Sequence, residues 1–476
     1  MSVITRSKGV RDARAAVMEF LLIHHPLDCP ACDKGGECTL QDYTVAMGAA
    51  HTRFAFRKNT WPEEDVGGKL ILNKNRCILC MRCVNLCADV AGQDEIAVIA
   101  RGEETYIGTV GGRMIENEMA GNIADICPVG ALTSKDFRFE ARPWELTNVK
   151  SICTLCSKGC NTIVGFHPRR NKVLRVTARE NMDVNQWWIC DRGRGQYHAV
   201  HDVVRVVEPT RREKGVARTA SWTEAITEIG AGIRETIARH GEDAVGIIAS
   251  AELSNEELFL IGRLFQDGLK LQNLDFPARP QPPVVYPKFT IEGDKNPNTR
   301  GARLFLRGLS QNGGPARGRS VSDIIAAAAD GPIKTLLFFR GGPLDRFGDP
   351  AVVQRAIQRA GLVAVVDFVA SPVSDLAGWV LPGVSHFEKD GTYVNSQGRV
   401  QRARKVFTLR GDTREEWRVI QELGQSLGVL RETDPSPESI FDRIVRTVPA
   451  FAGLSYTALG DLGAPLLNEP ANVAVG

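Results

Sequence analysis

The 476-residue sequence lacks a strong net charge, and it lacks a long apolar run. Its formal net charge is only +3, which argues against nucleic acid as the main partner. No stretch approaches the ~18 consecutive apolar residues that a membrane span needs. The short apolar run at residues 15–23 contains Glu19, which argues against a secretory signal. A length of 476 residues with 43% apolar and 24% charged residues predicts a globular chain of more than one domain.

Cysteine is absent after residue 190, although the chain contains twelve cysteines. All of them lie between Cys29 and Cys190. A secreted protein held together by disulfides is normally short and spreads its cysteines through the whole fold. The confinement of so many thiols to one part of a long chain therefore indicates metal binding.

The first set of candidate ligands follows a helix predicted over residues 13–21. Cys29, Cys32 and Cys38 have the spacing C-x2-C-x5-C, and His25 stands four residues before the first cysteine. Three thiolates and one imidazole suit tetrahedral zinc or a [4Fe–4S] cluster with one nitrogen ligand. The spacing alone leaves His24 open as the nitrogen ligand.

The second set begins with Cys77, Cys80 and Cys83, spaced C-x2-C-x2-C. Three ligands within seven residues favour an iron–sulfur cluster, because zinc sites more often combine paired cysteines from separate loops. The fourth ligand is expected from Cys127, which precedes a proline as in ferredoxin-like sites. Cys87 competes for this place, although it reads better as a small buried residue.

The third set consists of Cys153, Cys156 and Cys160, spaced C-x2-C-x3-C, followed much later by Cys190. The spacing fits a four-cysteine zinc ribbon as well as a third cubane. Two cubane-like sets upstream favour the cluster. Eleven cysteines and one histidine then fill three four-ligand sites, and only Cys87 is left over.

After residue 205 the sequence alternates between patterns of helix and strand. This order predicts a parallel sheet with helices on its faces, and thus an α/β multidomain protein. Ser221 and Ser254 each stand three residues before a glutamate, a pattern that starts helices. A proline-rich loop is predicted over residues 276–300, and the fold is expected to end near residue 447, before a tail. The predicted strands are 245–249, 335–339 and 362–366, and further helices are predicted at 351–360 and 417–423.

Two features of this region could bind a ligand. Gly341, Gly342 and Pro343 follow a predicted strand, where doubly wound sheets bind nucleotide-like molecules. Gly-Gly-Pro is equally typical of a plain turn. The polar run from Glu388 to Gln401 could hold a cofactor or form a hydrogen-bonded turn. We find no convincing catalytic constellation in this region.

Together these motifs resemble the large iron–sulfur subunit of respiratory complex I, the G subunit of NADH-quinone oxidoreductases. HPLDCPACDKGGECTLQD resembles the histidine-ligated cluster motif of that family, which favours His25 over His24. NRCILCMRC together with GNIADICPVGALTSKDF resembles its next cluster site and supports Cys127. CTLCSKGC with ICDRGR resembles a further cluster module, shared with molybdopterin oxidoreductases. VLPGVSHFEKDGTYVNSQGRVQ is similar to the molybdopterin-oxidoreductase domain, which this family retains as a degenerate relic.

The resemblance implies four domains and three [4Fe–4S] clusters. The implied domains are a His/Cys3 cluster domain at 1–68, a ferredoxin-like cluster domain at 69–145, a molybdopterin-oxidoreductase-type cluster domain at 146–205 and the degenerate α/β domain at 206–476. The implied ligands are His25, Cys29, Cys32, Cys38, Cys77, Cys80, Cys83, Cys127, Cys153, Cys156, Cys160 and Cys190.

Two departures from the family pattern qualify the expected cofactors. The plant-type ferredoxin domain with a [2Fe–2S] cluster, which members of the family normally carry first, has no C-x4-C-x2-C motif here. It is expected on another polypeptide, or to have been lost by truncation or by a misassigned start. The sheet region has no cysteine to ligate molybdenum, so no molybdenum is expected, although a serine ligand stays open.

The resemblance implies electron transfer from NADH and flavin through the clusters toward quinone, coupled to proton translocation by the complex. The expected partners are the flavin- and NADH-binding subunit and the quinone-side iron–sulfur subunits. The expected location is the cytoplasmic face of the inner (cell) membrane, without a membrane span and without nucleic acid. The alternatives are a molybdopterin-dependent dehydrogenase of formate dehydrogenase type and a zinc-stabilised scaffold.

Overall fold

The chain folds into two compact units in a computed structural model that describes residues 3–213, 215–306, 319–408, 411–431 and 433–467. Unit 1 lies within Met1–Val149, Thr162–Tyr197 and Val284–Ile291. Unit 2 lies within Lys150–Asn161, His198–Pro283 and Glu292–Gly476. Among the described residues, no helix is both long and apolar enough to cross a bilayer.

Unit 1 is built from short elements. Its antiparallel sheet has Leu70–Leu72 in the centre, flanked by Glu64–Gly67 and Leu132–Ser134. The α-helices are Lys8–Leu22, Thr39–Met47, Arg82–Asn85, Gly121–Ile126 and Asp191–Arg194. The other strands are Ile96–Ile99, Tyr106–Thr109, Lys172–Ala178, Val284–Tyr286 and Phe289–Ile291, and Thr147–Ile152 and Asn161–His167 lie where the chain passes between the units.

The first helix, Lys8–Leu22, confirms the helix predicted there, and Ser7 caps it by accepting a hydrogen bond from the Val10 amide. Its burial differs from the apolar pattern in the sequence. Met18 is its buried residue, whereas Val17 and Phe20 are 59% and 73% exposed. The apolar spacing therefore predicts the helix but does not show which of its side chains are buried.

Unit 2 contains the predicted parallel sheet. Four neighbouring strands run parallel, with Ile247 paired to Leu337, Leu337 to Ala364 and Val365 to Val380. From one edge to the other, the seven strands are Val216–Thr219, Thr210–Glu213, Trp379–Pro382, Leu362–Asp367, Thr335–Phe339, Val245–Ile248 and Leu274–Asp275. Only Thr210–Glu213 and Val216–Thr219 run antiparallel to their neighbours.

Helices cover both faces of this sheet, since alternate residues of each strand enter two different apolar cores. Leu337 and Phe339 belong to one core, whereas Leu336 and Phe338 belong to the other. The α-helices of the first core are Trp222–His240, Asn255–Ile261, Thr299–Phe305, Glu416–Ser426, Pro437–Thr447 and Tyr456–Leu459. The helices of the second core are Val321–Asp330, Pro350–Arg359 and Pro372–Leu376.

The predicted helix starts at Ser221 and Ser254 are confirmed. The Ser221 hydroxyl accepts a hydrogen bond from the Glu224 amide at 3.1 Å, and the Ser254 hydroxyl accepts one from Glu257. Two other expectations are wrong. The loop predicted over 276–300 contains a hairpin, Val284–Tyr286 with Phe289–Ile291, that belongs to unit 1. Ordered structure also continues past residue 447, through the helix Tyr456–Leu459 to the strand Ala464–Pro465.

Candidate iron–sulfur sites

The register of the unit 1 sheet brings the second cysteine set together. Leu72 pairs with Leu132, and these residues stand five positions before Cys77 and five positions after Cys127. The Asn73 amide then donates to the Ala131 carbonyl at 2.7 Å, which extends the pairing toward both cysteines. A contact between strands about sixty positions apart in the sequence therefore places the Cys-Pro motif beside the triple-cysteine loop.

The thiols of this set neighbour one another. The nearby thiols of Cys80 and Cys127 act on Cys77, and the thiols of Cys77, Cys80 and Cys127 act on Cys83. Burial raises the pKa of Cys77 to about 11 and that of Cys83 to about 12, and the neighbouring thiols add to the effect. Buried thiolates are costly until a cation offsets their charge, as a bound metal does.

Cys87 is buried in a different environment. Its side chain is fully buried, and the charges acting on it are those of Glu95 and Asp94. Burial, followed by these two carboxylates, raises the pKa of its thiol to about 12. The structure thus groups Cys127 with the triple-cysteine loop and surrounds Cys87 with acidic side chains.

The loop between Cys77 and Cys83 has a backbone that the sequence pattern did not reveal. Leu79 and Met81 have φ angles of 53° and 61°, in the left-handed region that non-glycine residues rarely adopt. The Leu79 amide donates a hydrogen bond to the Cys77 sulfur at 3.4 Å. Strained turns that point amides at sulfur are suited to a thiolate-bound cluster.

The first set lies in a loop of unit 1 that follows the helix Lys8–Leu22. Cys32 and Cys38 are buried and their thiols are neighbours, whereas Cys29 is exposed. Cys29 lines an open cleft of about 730 Å³ together with Gly35, Gly36 and Trp144. The set therefore has a buried side and a side facing solvent.

His25 fits a ligand role in this loop. Its Nδ1 atom is buried and has no hydrogen-bond partner. Burial lowers the pKa of its imidazole, which favours the neutral form that binds metals. The Lys58 ammonium holds the backbone here by donating to the carbonyls of Leu22 and His25, at 2.9 and 2.5 Å.

Arg142 also holds the first loop, and sequence reasoning missed it. Its guanidinium donates to the Cys32 carbonyl at 2.6 Å and to the Pro30 carbonyl. An arginine more than one hundred positions away has no local signal that would link it to this loop. The donor set, the unpartnered imidazole nitrogen and the braced backbone together fit a cluster with one histidine ligand.

The first and second sets lie against each other within unit 1. Gly130, three residues after Cys127, is so close to the first loop that a Cβ atom there would lie 2.2 Å from the Cys32 sulfur. The Thr39 amide, directly after Cys38, donates to the Pro128 carbonyl at 3.1 Å. Two groups bound in these loops would be near neighbours.

The third set divides between the two units. In unit 2, Cys153, Cys156 and Cys160 are all buried, and the Cys153 amide donates to the Cys160 carbonyl at 2.8 Å. In unit 1, the buried Cys190 starts the helix Asp191–Arg194, and its sulfur accepts a hydrogen bond from the Gly193 amide at 3.4 Å. The assignment of Cys190 to this set stays a prediction.

Across the described part of the chain, no three His, Cys, Asp or Glu side chains converge closely enough to hold a single metal ion. We therefore assign the ligand sets from the loops that carry the cysteines and, in the first two sets, from thiols that neighbour one another. In unit 2, the glycine turn after Thr335–Phe339 does not fit a phosphate-bearing ligand. The Gly341 amide donates to Asp367 at 2.7 Å, and the Gly342 amide donates to the Ser371 hydroxyl at 3.2 Å.

The polar run from Glu388 to Gln401 forms a hairpin. Gly391–Val394 pairs with Arg399–Ala403, and the Asn395 side chain accepts the amides of Gln397 and Arg399 in the turn. Of the two interpretations offered for this run, a cofactor site and a hydrogen-bonded turn, the structure shows the turn.

Four family models match the chain. The iron–sulfur binding region of NADH-ubiquinone oxidoreductase-G matches residues 14–53, and the ferredoxin-like domain of NADH-quinone oxidoreductase subunit 3 matches 67–133. The Fe4S4 domain of molybdopterin oxidoreductases matches 146–202, and the molybdopterin oxidoreductase model matches 298–426. The chain therefore contains [4Fe–4S]-binding domains, followed by a region similar to molybdopterin oxidoreductases.

The curated relatives establish which oxidoreductase subunits the chain is similar to. The G subunit of the NADH-quinone oxidoreductase of Streptomyces coelicolor is 38% identical over 269 residues, covering 56% of this chain and 31% of that protein. The alpha subunit of the NADPH-Fe(3+) oxidoreductase of Geobacter sulfurreducens is 35% identical over 287 residues, covering 59% and 32%. The chain is a relative of the G subunit of NADH-quinone oxidoreductases, which confirms the resemblance. It spans about a third of the length of these relatives.

One solved structure supports the fold. Acetylene hydratase from Pelobacter acetylenicus superposes with a TM-score of 0.51 at 11% identity, covering 67% of this chain and 74% of that one. The α/β multidomain fold class, with [4Fe–4S] domains before a molybdopterin-oxidoreductase-like region, is confirmed.

Proposed function

We propose that this chain is the iron–sulfur electron-transfer subunit of an NADH-quinone oxidoreductase. Its partners would be the flavin- and NADH-binding subunit and the quinone-side iron–sulfur subunits, on the cytoplasmic face of the membrane. The complex, and not this chain alone, would couple electron transfer to proton translocation. The observation that carries the proposal is the contact between the first two cysteine loops, because one-electron carriers must be close to exchange electrons.

In this function the chain positions and insulates three [4Fe–4S] clusters, which supply one-electron redox chemistry when bound. His25, Cys29, Cys32 and Cys38 would hold the first cluster, and Cys77, Cys80, Cys83 and Cys127 the second. Cys153, Cys156, Cys160 and Cys190 would hold a third cluster, off the main path and structural. The four domains would be 1–68, 69–145, 146–205 and 206–476, with neither molybdenum nor a [2Fe–2S] cluster.

The experiment is anaerobic reconstitution of the full chain, followed by iron and sulfide analysis and EPR of the reduced protein. Three cubanes require about twelve irons per chain. Fewer than two cubane signals would contradict the proposed electron-transfer function. A colourless protein that binds three zinc ions would instead support the zinc-stabilised scaffold.

A matched pair of variants tests the fourth ligand of the second site. Cys127→Ser is expected to remove one cubane signal and about four irons. Cys87→Ser is expected to keep all of them, since Cys87 is buried beside Glu95 and Asp94. Loss of the same signal from Cys87→Ser, with Cys127→Ser intact, would reverse the assignment.

Two other functions have specific support. The 35% identity to the Geobacter alpha subunit favours a relay from NADPH to iron(III), which co-purification with a soluble NADPH-oxidising partner would reveal. The molybdopterin oxidoreductase model at 298–426 favours a molybdenum dehydrogenase. Metal analysis of the purified protein distinguishes the molybdenum dehydrogenase from the electron relay. The dehydrogenase requires stoichiometric molybdenum, and the relay requires none.

A further inference from the structure

One buried arginine links the two cluster loops of unit 1. Arg76 directly precedes Cys77 in the second loop, and its partner Asp28 directly precedes Cys29 in the first. The Arg76 guanidinium donates to one Asp28 carboxylate oxygen through Nε at 3.0 Å and through Nη2 at 2.5 Å. The ion pair thus joins the residues adjacent to one ligand of each site.

The two members of this pair differ in exposure. The Arg76 side chain is 6% exposed, and its Nη1 is buried without a hydrogen-bond partner. The Asp28 side chain is 35% exposed, so water screens its charge more strongly. The pair therefore leaves a net positive field on its buried side.

That field acts on the first site. The Arg76 side chain lies beside Gly130 at the contact between the loops, where a Cβ atom would be 3.5 Å from Arg76 Cδ and 2.2 Å from the Cys32 sulfur. Asp28 carries the opposite charge and directly precedes the ligand Cys29 of the same site. The other charged groups near this region are the ammonium groups of Lys58 and Lys34, the guanidinium of Arg142 and the carboxylates of Asp33, Glu37 and Glu63.

We propose that Arg76 and Asp28 are positioning residues that set the reduction potential of the first site relative to the second. The proposal rests on the function proposed above. One-electron reduction adds one negative charge to a site, so a buried cation stabilises the reduced form and a nearby anion destabilises it. Arg76 accordingly raises the potential of the group held by His25, Cys29, Cys32 and Cys38, and Asp28 lowers it.

The test is a dithionite titration of the reconstituted full chain with redox mediators, followed by EPR at each potential. Arg76→Gln is expected to shift the midpoint potential of the histidine-ligated cluster to more negative values. Asp28→Asn is expected to shift it to more positive values, and by less, because Asp28 is the more exposed partner. The Arg76→Gln/Asp28→Asn double variant is expected to lie between them, and Arg76→Lys close to the wild type.

Iron content and a control variant separate tuning from a purely structural role. Arg443→Gln removes a similarly buried arginine of unit 2, 19% exposed and paired with Asp434, and is expected to leave the potential of the first site nearly unchanged. Shifts of the same sign in Arg76→Gln and Asp28→Asn, or no shift in either, overturn the tuning role. If the Arg76→Gln protein binds less iron, the direction of the shift in midpoint potential in Asp28→Asn still tests the proposal. A wild-type chain without two cubane signals overturns the proposed function instead.

Discussion

At the scale of single residues, the contact between the first two sites depends on a missing side chain. Gly130 lies where its backbone, the Cys32 sulfur and the Arg76 side chain meet. A methyl group has no room there. It would lie 2.2 Å from the Cys32 sulfur, much closer than non-bonded carbon and sulfur atoms approach each other.

Gly130→Ala is therefore expected to displace the Cys32 loop and to lower the iron content by about four atoms per chain. Iron analysis and the EPR signal of the histidine-ligated cluster measure this loss. Gly9→Ala is the control, because a Cβ atom there meets no atom within 4 Å and the residue lies in a helix. A Gly130→Ala chain with full iron content would show that the loop can retreat without losing its ligand.

The cysteine spacings predicted which ligands form each set, but they could not predict the residues between the sets. Cys77, Cys80 and Cys83 are close in sequence, so a local pattern suffices for them. Arg76 and Asp28 are 48 positions apart, and neither has a distinctive neighbourhood in the sequence. Such pairs become visible only when the fold has brought their loops together.

At the scale of elements, charged side chains form a buried network of ion pairs at the carboxyl ends of the parallel strands in unit 2. Lys389 bonds Glu257 and Glu416 at 2.6 and 2.9 Å, and Arg340 contacts Glu416 at 2.8 Å and Asp367 at 3.4 Å. Buried charges of this kind are stable only as a complete set, because removing one partner leaves another uncompensated. This network occupies the edge of the sheet where related folds bind ligands.

His386 lies beside this network and makes the stability of unit 2 depend on pH. Desolvation, followed by the positive charges of Arg340 and Lys389, lowers its pKa to about 3. An unfolded histidine titrates near 6.5, so the unfolded chain binds the proton first and the stability due to neutral His386 is lost as pH falls below 6.5 toward 3.

The free energy of unfolding of the wild type is therefore expected to fall by about 1 kcal/mol more between pH 7 and 5.5 than that of His386→Gln. Urea denaturation at the two pH values measures the difference. His240→Gln, at the exposed end of the helix Trp222–His240, is the control and should keep the wild-type slope. Equal slopes for wild type and His386→Gln would contradict the prediction.

Elements with a periodic or capped sequence were predictable, and elements defined by distant partners were not. The parallel strands and the helix starts at Ser221 and Ser254 follow from local patterns. The hairpin Val284–Tyr286 with Phe289–Ile291 lies among prolines that suggested a loop, and the residues it packs on are far away in sequence. The exposure of Phe20 likewise depends on which residues pack against its helix, and the spacing of apolar residues in the sequence does not show this.

At the scale of the whole molecule, the two units are stabilised in different ways. In the described part of unit 2, two extensive apolar cores lie on either face of the parallel sheet, whereas unit 1 buries apolar side chains such as Leu70, Ile107 and Met119 between shorter elements. Unit 1 is assembled from short strands and from loops that carry two of the proposed clusters. Metal binding contributes free energy to such a region, because the ligands are not assembled in the unfolded chain.

Removal of iron by an anaerobic chelator is accordingly expected to lower the unfolding temperature of unit 1 by several degrees or more and to change that of unit 2 much less. Differential scanning calorimetry resolves the two if they unfold separately. The difference between the near-ultraviolet circular dichroism of the wild type and that of Trp417→Phe, a buried tryptophan of unit 2, assigns the transition of that unit. A joint shift of both transitions would show that the units unfold together.

The hairpin in the middle of the chain has a consequence for how the protein is made. The Glu118 amide donates to the Tyr286 hydroxyl at 3.1 Å, and Pro287 packs against Gly92, so residues synthesised late are part of unit 1. A chain emerging from the ribosome folds from its N-terminus. Here the region that carries the first two ligand sets lacks a piece until residue 291 has been translated, so the maturation machinery meets a finished acceptor only after most of the polypeptide exists.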